Sequence, residues 1–243
     1  MEDSAVRYQH LDHFVHRVLE QPGTTLVFVL EHEPELEDSV LIGLEDWTPA
    51  DRKRIFQFRE TKARTSWCVS RLLYRRVLTE WCGRPVGELT LRHNPSGKPF
   101  LPGSTKRFNW SHTAGCSVLA IADEAEVGCD VENTSHILDG FRATMRDHFS
   151  PEERFWVEQV KTDAEQWKRF VTLFVQKEAV LKRRGSGLSE ALADVHCILE
   201  DVPFRNGNLY CFGHGLESRY ITAVSTSGSA DATYRVRMHR LKA

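Results

Sequence analysis

The chain has 243 residues, 32 basic against 34 acidic, and a formal net charge of −2. Hydrophobic residues at 41% and charged residues at 27% fit a globular protein with a sizeable core, and exclude a largely disordered chain, a collagen or a coiled coil. The balanced charge speaks against a general nucleic-acid coat, and no apolar run nears the roughly 20 residues of a membrane-spanning helix, so neither nucleic acid nor membrane is an expected partner.

Residues 1–22 are polar, with Leu11, Phe14, Val15 and Val18 at loose helical spacing, and read as an N-terminal extension. The start, MEDSAVRYQH, lacks a basic stretch followed by an apolar core, so no secretory signal is expected. Thr25–Glu31 reads as the first strand and the acidic stretch Glu31–Asp38 as a loop. Thr48-Pro49-Ala50-Asp51 opens a helix with a capping Thr, Pro at the first helical position and an early acid. From Glu60 to Trp81, Trp67, Val69, Leu72, Leu73, Val77 and Leu78 recur at threes and fours, and Gly83 and Pro85 end that helix. A short strand over Glu88–Arg92 and a turn at Asn94-Pro95-Ser96-Gly97 follow, then strands over Phe108–His112, Cys116–Ala122 and Val127–Glu132. Ser150-Pro151-Glu152-Glu153 is a capping box opening another helix. A long helix over Ala164–Arg183 stops at Gly185-Ser186-Gly187, and β segments follow at Val195–Glu200, Leu209–Phe212, Tyr220–Val224 and Tyr234–Met238.

The order strand, long helix, strands thus occurs twice. This predicts an α+β chain of two similar halves: an extension 1–22, an N-terminal half 23–125 and a C-terminal half 126–243. The six cysteines form no C-x-x-C and have no His at zinc-finger spacing. They read as reduced core residues, which implies a reducing compartment, most simply the cytoplasm.

Chemistry concentrates in four places. In Val127-Gly128-Cys129-Asp130-Val131-Glu132, strand alternation puts Val127, Cys129 and Val131 on one face and Gly128, Asp130 and Glu132 on the other. Two carboxylates about 7 Å apart on one face repel unless a cation or water intervenes; an all-oxygen pair suits Mg²⁺. The solvated face of an edge strand explains the hexapeptide alone more simply. On the long helix, Glu178 falls on the apolar stripe of Phe170, Leu173, Phe174 and Leu181, with Lys182 one turn on. An ordinary Glu–Lys pair accounts for the two charges but not for a carboxylate on a buried stripe. In Asn109-Trp110-Ser111-His112, adjacent Ser and His point to opposite faces and cannot form a nucleophile–base pair; they serve better as donors to phosphate, although a turn Ser and a satisfied His explain the segment alone more simply. Residues 52–76 hold nine basic residues against one acid, an excess suited to phosphates or an acidic partner, although the solvated faces of two helices absorb many of them.

Ser96-Gly97-Lys98-Pro99, Phe108-Asn109-Trp110-Ser111-His112, the G-x-D-x-E of 128–132, Phe149-Ser150-Pro151-Glu152-Glu153 and the K-E-x-x-x-K of 177–182 occur in one family order. The sequence resembles the 4'-phosphopantetheinyl transferases of the Sfp type over residues 48–190. The resemblance implies two α+β halves related by a pseudo-twofold, with the active site in the cleft between them. It implies transfer of the phosphopantetheine arm of coenzyme A to a serine of an apo acyl or peptidyl carrier protein, with release of adenosine 3',5'-bisphosphate. Asp130, Glu132 and Glu178 fall on the metal-binding carboxylates, for Mg²⁺, and Glu178 also on the base for the carrier serine. Lys182 and His112 fall on catalytic groups that hold phosphate oxygens, and Ser111 beside them. Lys98 lies in the G-K-P element near the coenzyme, Arg64 matches an arginine near the adenosine 3'-phosphate, and Arg52 and Arg54 are looser candidates for that phosphate. One chain supplying both halves implies a monomer. The sequence departs from the family at Phe174, often Trp, and at Val175, often Ser, Thr or Cys. The alternatives are a metal-dependent nuclease, which would use the same acids and Lys, and a carrier-protein binder that has lost catalysis.

Overall fold

Alternation along the strands sorts this chain into layers. The computed structural model describes residues 24–33, 47–187, 191–228 and 233–241. The proposed extension 1–22 and most of the acidic loop lie outside the described residues. Strand β1 (Thr24–His32) is buried along most of its length. Leu26, Phe28 and Leu30 face one way and Val27 and Val29 the other.

Helix α1 (Pro49–Ile55) starts at the expected cap, Thr48 and Asp51 forming a reciprocal capping box. Asp51 is also bonded, at 3.0 Å each, by Arg71 and Arg75 of the next helix. That one buried acid takes up two of the charges in the basic segment. Helix α2 (Thr61–Cys82) ends at Gly83, left-handed at φ 67°. A single 3₁₀ turn at Val86–Glu88 stands where part of a strand is predicted, and the short hairpin of β2 (Arg92–His93) and β3 (Pro99–Phe100) brackets the Asn94–Gly97 turn. Strands β4 (Lys106–Thr113), β5 (Cys116–Asp123) and β6 (Val127–Asn133) fall where the sequence places them.

Three helices follow. α3 (Phe141–His148) has no start signal beyond Gly140, and the sequence reading does not include it. α4 (Pro151–Glu158) starts at the Ser150–Glu153 capping box. α5 (Asp163–Arg184) is capped by Thr162 and Glu165 and closed by Gly185. The remaining strands are β7 (Phe204–Asn206), β8 (Leu209–His214), β9 (Tyr220–Thr226) and β10 (Thr233–Leu241). β7 lies outside the predicted segments, and the predicted strand at Val195–Glu200 does not form. The cause is α5: Gln176 bonds Ile198 through both its amide N (3.1 Å) and its amide O (2.8 Å), and Lys177 donates to the carbonyl of Val195. Side chains satisfy the backbone that a neighbouring strand would otherwise pair.

Two four-stranded sheets result, in the orders β10-β1-β5-β4 and β6-β9-β8-β7. α2 covers the outer face of the first sheet, with Val69, Leu73 and Leu78 against Leu26, Phe28 and Ile121. α5 covers the outer face of the second, with Trp167, Phe170 and Leu173 in one cluster with Ile221 and Ala223. Between the sheets, Val27, Val29, Val118 and Ala120 meet Val127, Cys129, Val131 and Val224. The chain does not divide cleanly at residue 125: β10, from the far end, pairs in parallel with β1, Thr24 opposite Thr233, and completes the first sheet.

Candidate active site

The inward face of β6 is apolar, as alternation requires, so Gly128, Asp130 and Glu132 face α5. A side chain at Gly128 would run into the backbone of Ala179 and Arg183. The missing Cβ lets the last turns of α5 lie directly on β6. That close approach brings Lys182 onto Asp130: Nζ to Oδ1 is 2.5 Å, and Nζ to Ser111 Oγ is 3.1 Å. Ser111 Oγ donates to Asp130 Oδ1 at 2.8 Å and closes the triangle. Asn109 and Cys129 tie β4 to β6 beside it, the Cys129 amide donating to Asn109 Oδ1 at 2.9 Å.

A cleft of about 420 Å³ opens over this triangle, lined by Trp110, Ser111, His112, Asp130, Glu132, Phe174, Glu178 and Lys182. Six residues from separate parts of the sequence, Ser111, His112, Asp130, Glu132, Glu178 and Lys182, thus share one wall-to-wall site between β4, β6 and α5. A second cavity of about 220 Å³ adjoins it through Trp110 and Lys182 and is lined by Ser96, Gly97, Lys98 and Pro99 among others. Phe174 stands in the cleft wall, stacked on Phe170 at 5.9 Å, while Val175 is fully buried in the core. Val175 is therefore a packing position, whereas Phe174 forms part of the cleft surface.

The electrostatics follow from crowding. Burial, then the neighbouring Asp130, pushes the Glu132 carboxyl up to about 7. Burial and Asp130 likewise raise Glu178, against the pull of Lys182. Burial works against the Lys182 charge, but the Asp130 carboxylate holds its pKa above the usual lysine value. Burial in the cleft and then the Lys182 charge lower His112, although the residue as a whole is exposed. Two carboxylates raised beside a third mark a site short of positive charge.

Among the described residues, no three His, Cys, Asp or Glu side chains stand gathered as a finished metal-ligating group. The donor set nevertheless fits a hard divalent cation. Asp130 Oδ2 is buried with no hydrogen-bond partner, which is costly for a carboxylate oxygen. Asp130 lines the cleft together with two further carboxylates, and oxygen donors of this kind suit Mg²⁺.

The remaining predicted residues lie elsewhere. Lys98 does not reach the cleft with a free donor: its ammonium bonds Glu126 Oε2 (3.0 Å), the Val127 carbonyl (3.1 Å) and the Arg183 carbonyl (2.9 Å). Arg52 and Arg54 are exposed on α1, and Arg64 is in the first turn of α2; none lines either cavity. The sequence reading missed the fully buried pair Lys177–Glu153, 2.9 Å apart, which pins α4 to α5 one residue before Glu178. Both residues stand in motifs already noted, but nothing in a sequence signals that a capping acid 24 positions upstream meets that lysine.

The sequence pattern of the 4'-phosphopantetheinyl transferase superfamily matches residues 126–235, and that described as 4'-phosphopantetheinyl transferase, N-terminal, matches residues 36–124. The 4'-phosphopantetheinyl transferase AcpT of Salmonella typhimurium is 33% identical over 150 residues, covering 57% of this chain and 73% of the relative. The chain belongs to the 4'-phosphopantetheinyl transferase superfamily. An L-aminoadipate-semialdehyde dehydrogenase-phosphopantetheinyl transferase of Xenopus laevis is 27% identical over 172 residues, or 67% of this chain, and the human protein of that name 27% over 180 residues. The match spans only 57% of the Xenopus relative's length and 58% of the human one's. Membership in this superfamily displaces the metal-nuclease reading, which rested on the same acids.

Proposed function

We propose that this superfamily member transfers the 4'-phosphopantetheine arm of coenzyme A to a serine of an apo acyl or peptidyl carrier protein and releases adenosine 3',5'-bisphosphate. The observation that carries the reading is the Lys182–Asp130–Ser111 triangle with Glu132 and Glu178 in the same cleft. Phosphoryl transfer needs positioning and charge stabilisation more than covalent catalysis, and this cleft offers groups for both.

Asp130, Glu132 and Glu178 would hold Mg²⁺, which when bound supplies charge neutralisation to the coenzyme pyrophosphate. Glu178, raised above the usual carboxylate range, is suited to take the proton of the carrier serine. The serine oxygen then forms a bond to the β-phosphorus, and the bond from that phosphorus to the bridging oxygen breaks. Lys182, held protonated by Asp130, donates a proton or a hydrogen bond to the departing oxygen. His112 and Ser111 hold phosphate oxygens at the cleft wall. Arg64, with Arg52 and Arg54 as looser candidates, binds the adenosine 3'-phosphate from the basic helices. The basic segment also favours an acidic carrier. The chain acts as a monomer, since both sheets and both long helices come from one chain. All six cysteines are free, which suits a reducing compartment such as the cytoplasm. No helix among the described residues is long and apolar enough to cross a membrane.

The test is to mix the protein with coenzyme A, Mg²⁺ and a panel of apo carrier proteins and weigh the carriers. The expected result is a gain of one phosphopantetheine, lost on adding chelator. No gain on any carrier, together with no calorimetric binding of coenzyme A in Mg²⁺, would overturn the reading and favour the inactive carrier binder; binding without transfer would point to an acceptor outside the panel.

A further inference from the structure

The last turn of α5 leaves carbonyls without intrahelical partners, and a distant hairpin supplies the donors. Asn94 Nδ2 donates to the Gly185 carbonyl at 2.8 Å and Ser96 Oγ to the Ser186 carbonyl at 2.9 Å. Lys98 Nζ donates to the Arg183 carbonyl at 2.9 Å. The hairpin is itself closed by Asn94, whose side chain accepts from the Lys98 amide at 2.8 Å. Gly185, left-handed at φ 69°, has no room for a side chain, because a Cβ there would lie 2.7 Å from Asn94 Nδ2.

Lys98 does more than cap. Its other two donors go to the Val127 carbonyl, at the start of β6, and to Glu126 just before it. Glu126 is held in turn by Arg107 at 2.6 Å. An ammonium has three donors, and all three are spent, on the two elements that carry Asp130 and Lys182. The Lys98 side chain is only 13% exposed. A group so placed has nothing left to offer a ligand without releasing one of these bonds.

We infer that Lys98 and Glu126 are positioning residues, which clamp the end of α5 to the start of β6 and so hold Lys182 on Asp130. The consequence rests on the proposed transfer reaction, but the clamp can be read without it. A displaced Lys182 costs transition-state stabilisation while leaving coenzyme contacts elsewhere in place, and misplacement by about 1 Å can cost on the order of a hundredfold.

The experiment compares wild type, Lys98→Met, Glu126→Ala and the double variant. Transfer to an apo acyl carrier protein is followed with coenzyme A varied. Amide hydrogen exchange is followed separately at residues 181–185. Lys98→Met should lower kcat by about tenfold or more with KM for coenzyme A changed by less than about twofold. Glu126→Ala should give a smaller fall in kcat, and little further loss once Lys98 is already Met. Exchange at the end of α5 should quicken in both single variants, whether or not transfer is detected. A rise in KM for coenzyme A with kcat unchanged would make Lys98 a coenzyme ligand and overturn the inference. Independent, additive losses would overturn the clamp, as would wild-type exchange at 181–185. If Lys98→Met does not fold, full kcat and wild-type exchange in Glu126→Ala would have the same force. Failure of wild-type protein to modify any carrier, with exchange quickened as expected, would count against the transfer reading and leave the clamp standing.

Discussion

The two long helices make the sharpest comparison in the molecule. α2 and α5 each have 22 residues, each end in a left-handed glycine, and each lie on a sheet whose first strand pairs with its last. What they lie on differs. β1 turns Leu26, Phe28 and Leu30 toward α2 and makes a core. β6 turns Gly128, Asp130 and Glu132 toward α5 and makes a cleft. Their ends differ as well. α2 is closed by its own backbone, Gly83 and Arg84 bonding back to Glu80 and Thr79. α5 also bonds back, from Gly185 to Leu181, but its last carbonyls are capped by Asn94, Ser96 and Lys98 from the other half. One strand–helix unit thus serves stability and the other chemistry, and three positions on one strand face account for most of the change.

The strongest way to break the comparison is to remove the acids. Asp130→Ala and Glu178→Ala should each lower carrier modification by about a thousandfold or more, as expected when groups acting as one unit are lost. Thermal unfolding of Glu178→Ala should remain within a few degrees of wild type, while Asp130→Ala, which also leaves Lys182 without its partner, should melt lower but still fold. Wild-type turnover in either variant at saturating Mg²⁺ would show that β6 is not the chemical strand.

A matched pair of core changes sharpens it. Phe28→Ala empties the contact between β1 and α2, and should cost about 3–5 kcal/mol of stability while the folded fraction keeps its activity per molecule. Gly128→Ala places a methyl group against the α5 backbone, where no flexible side chain can yield. It should cost about 1–3 kcal/mol or somewhat more, and it should also remove activity from the folded fraction, because α5 must lift Lys182 off Asp130. Denaturant melts paired with specific activity would separate the two. Equal losses of activity per folded molecule would erase the distinction between the halves.

The carboxylates that β6 turns toward α5 should also carry a pH response. Crowding raises the Glu132 carboxyl to about 7, so the folded, metal-free protein binds that proton more tightly than the unfolded chain does. Its effect on stability is most favourable at low pH and is lost as pH rises through about 7. Glu132→Gln should therefore raise the melting temperature of chelator-treated protein at pH 8 by a few degrees and change it little at pH 5. A larger gain at pH 5 than at pH 8 would reverse the sign and the argument with it.

Much of this was legible because local rules agree with the fold at these places. The Thr48 and Ser150 caps, the alternation of β6 and the stripe through Glu178 each state their geometry within a few residues. What was not legible is pairing at long range. β10 joins β1 from more than 200 residues away, and the buried Asp51 gathers Arg71 and Arg75 from the next helix. Val195–Glu200 has strand composition, but Gln176 and Lys177 reach its backbone first. Lys98 was the instructive case: its motif was plain, while the three acceptors that define its surroundings come from positions 126, 127 and 183.

The smallest expected effect tests whether the stable half has any share in the chemistry. Arg64 sits in the first turn of α2, outside both cavities, with its guanidinium 3.4 Å from Thr61 Oγ1. If it binds the adenosine 3'-phosphate, that contact is made equally in the ground and transition states, since the 3'-phosphate does not react. Uniform binding of this kind raises KM when lost and leaves kcat nearly untouched. Arg64→Ala should therefore raise KM for coenzyme A by about three- to tenfold, the scale of one charge-assisted contact near the surface. The rise should vanish with 3'-dephospho-coenzyme A as donor, because the partner is then already gone. A rise that persists with the dephosphorylated donor would place Arg64 elsewhere on the coenzyme. No rise with either donor would leave α2 a purely structural helix and make the comparison between the halves complete.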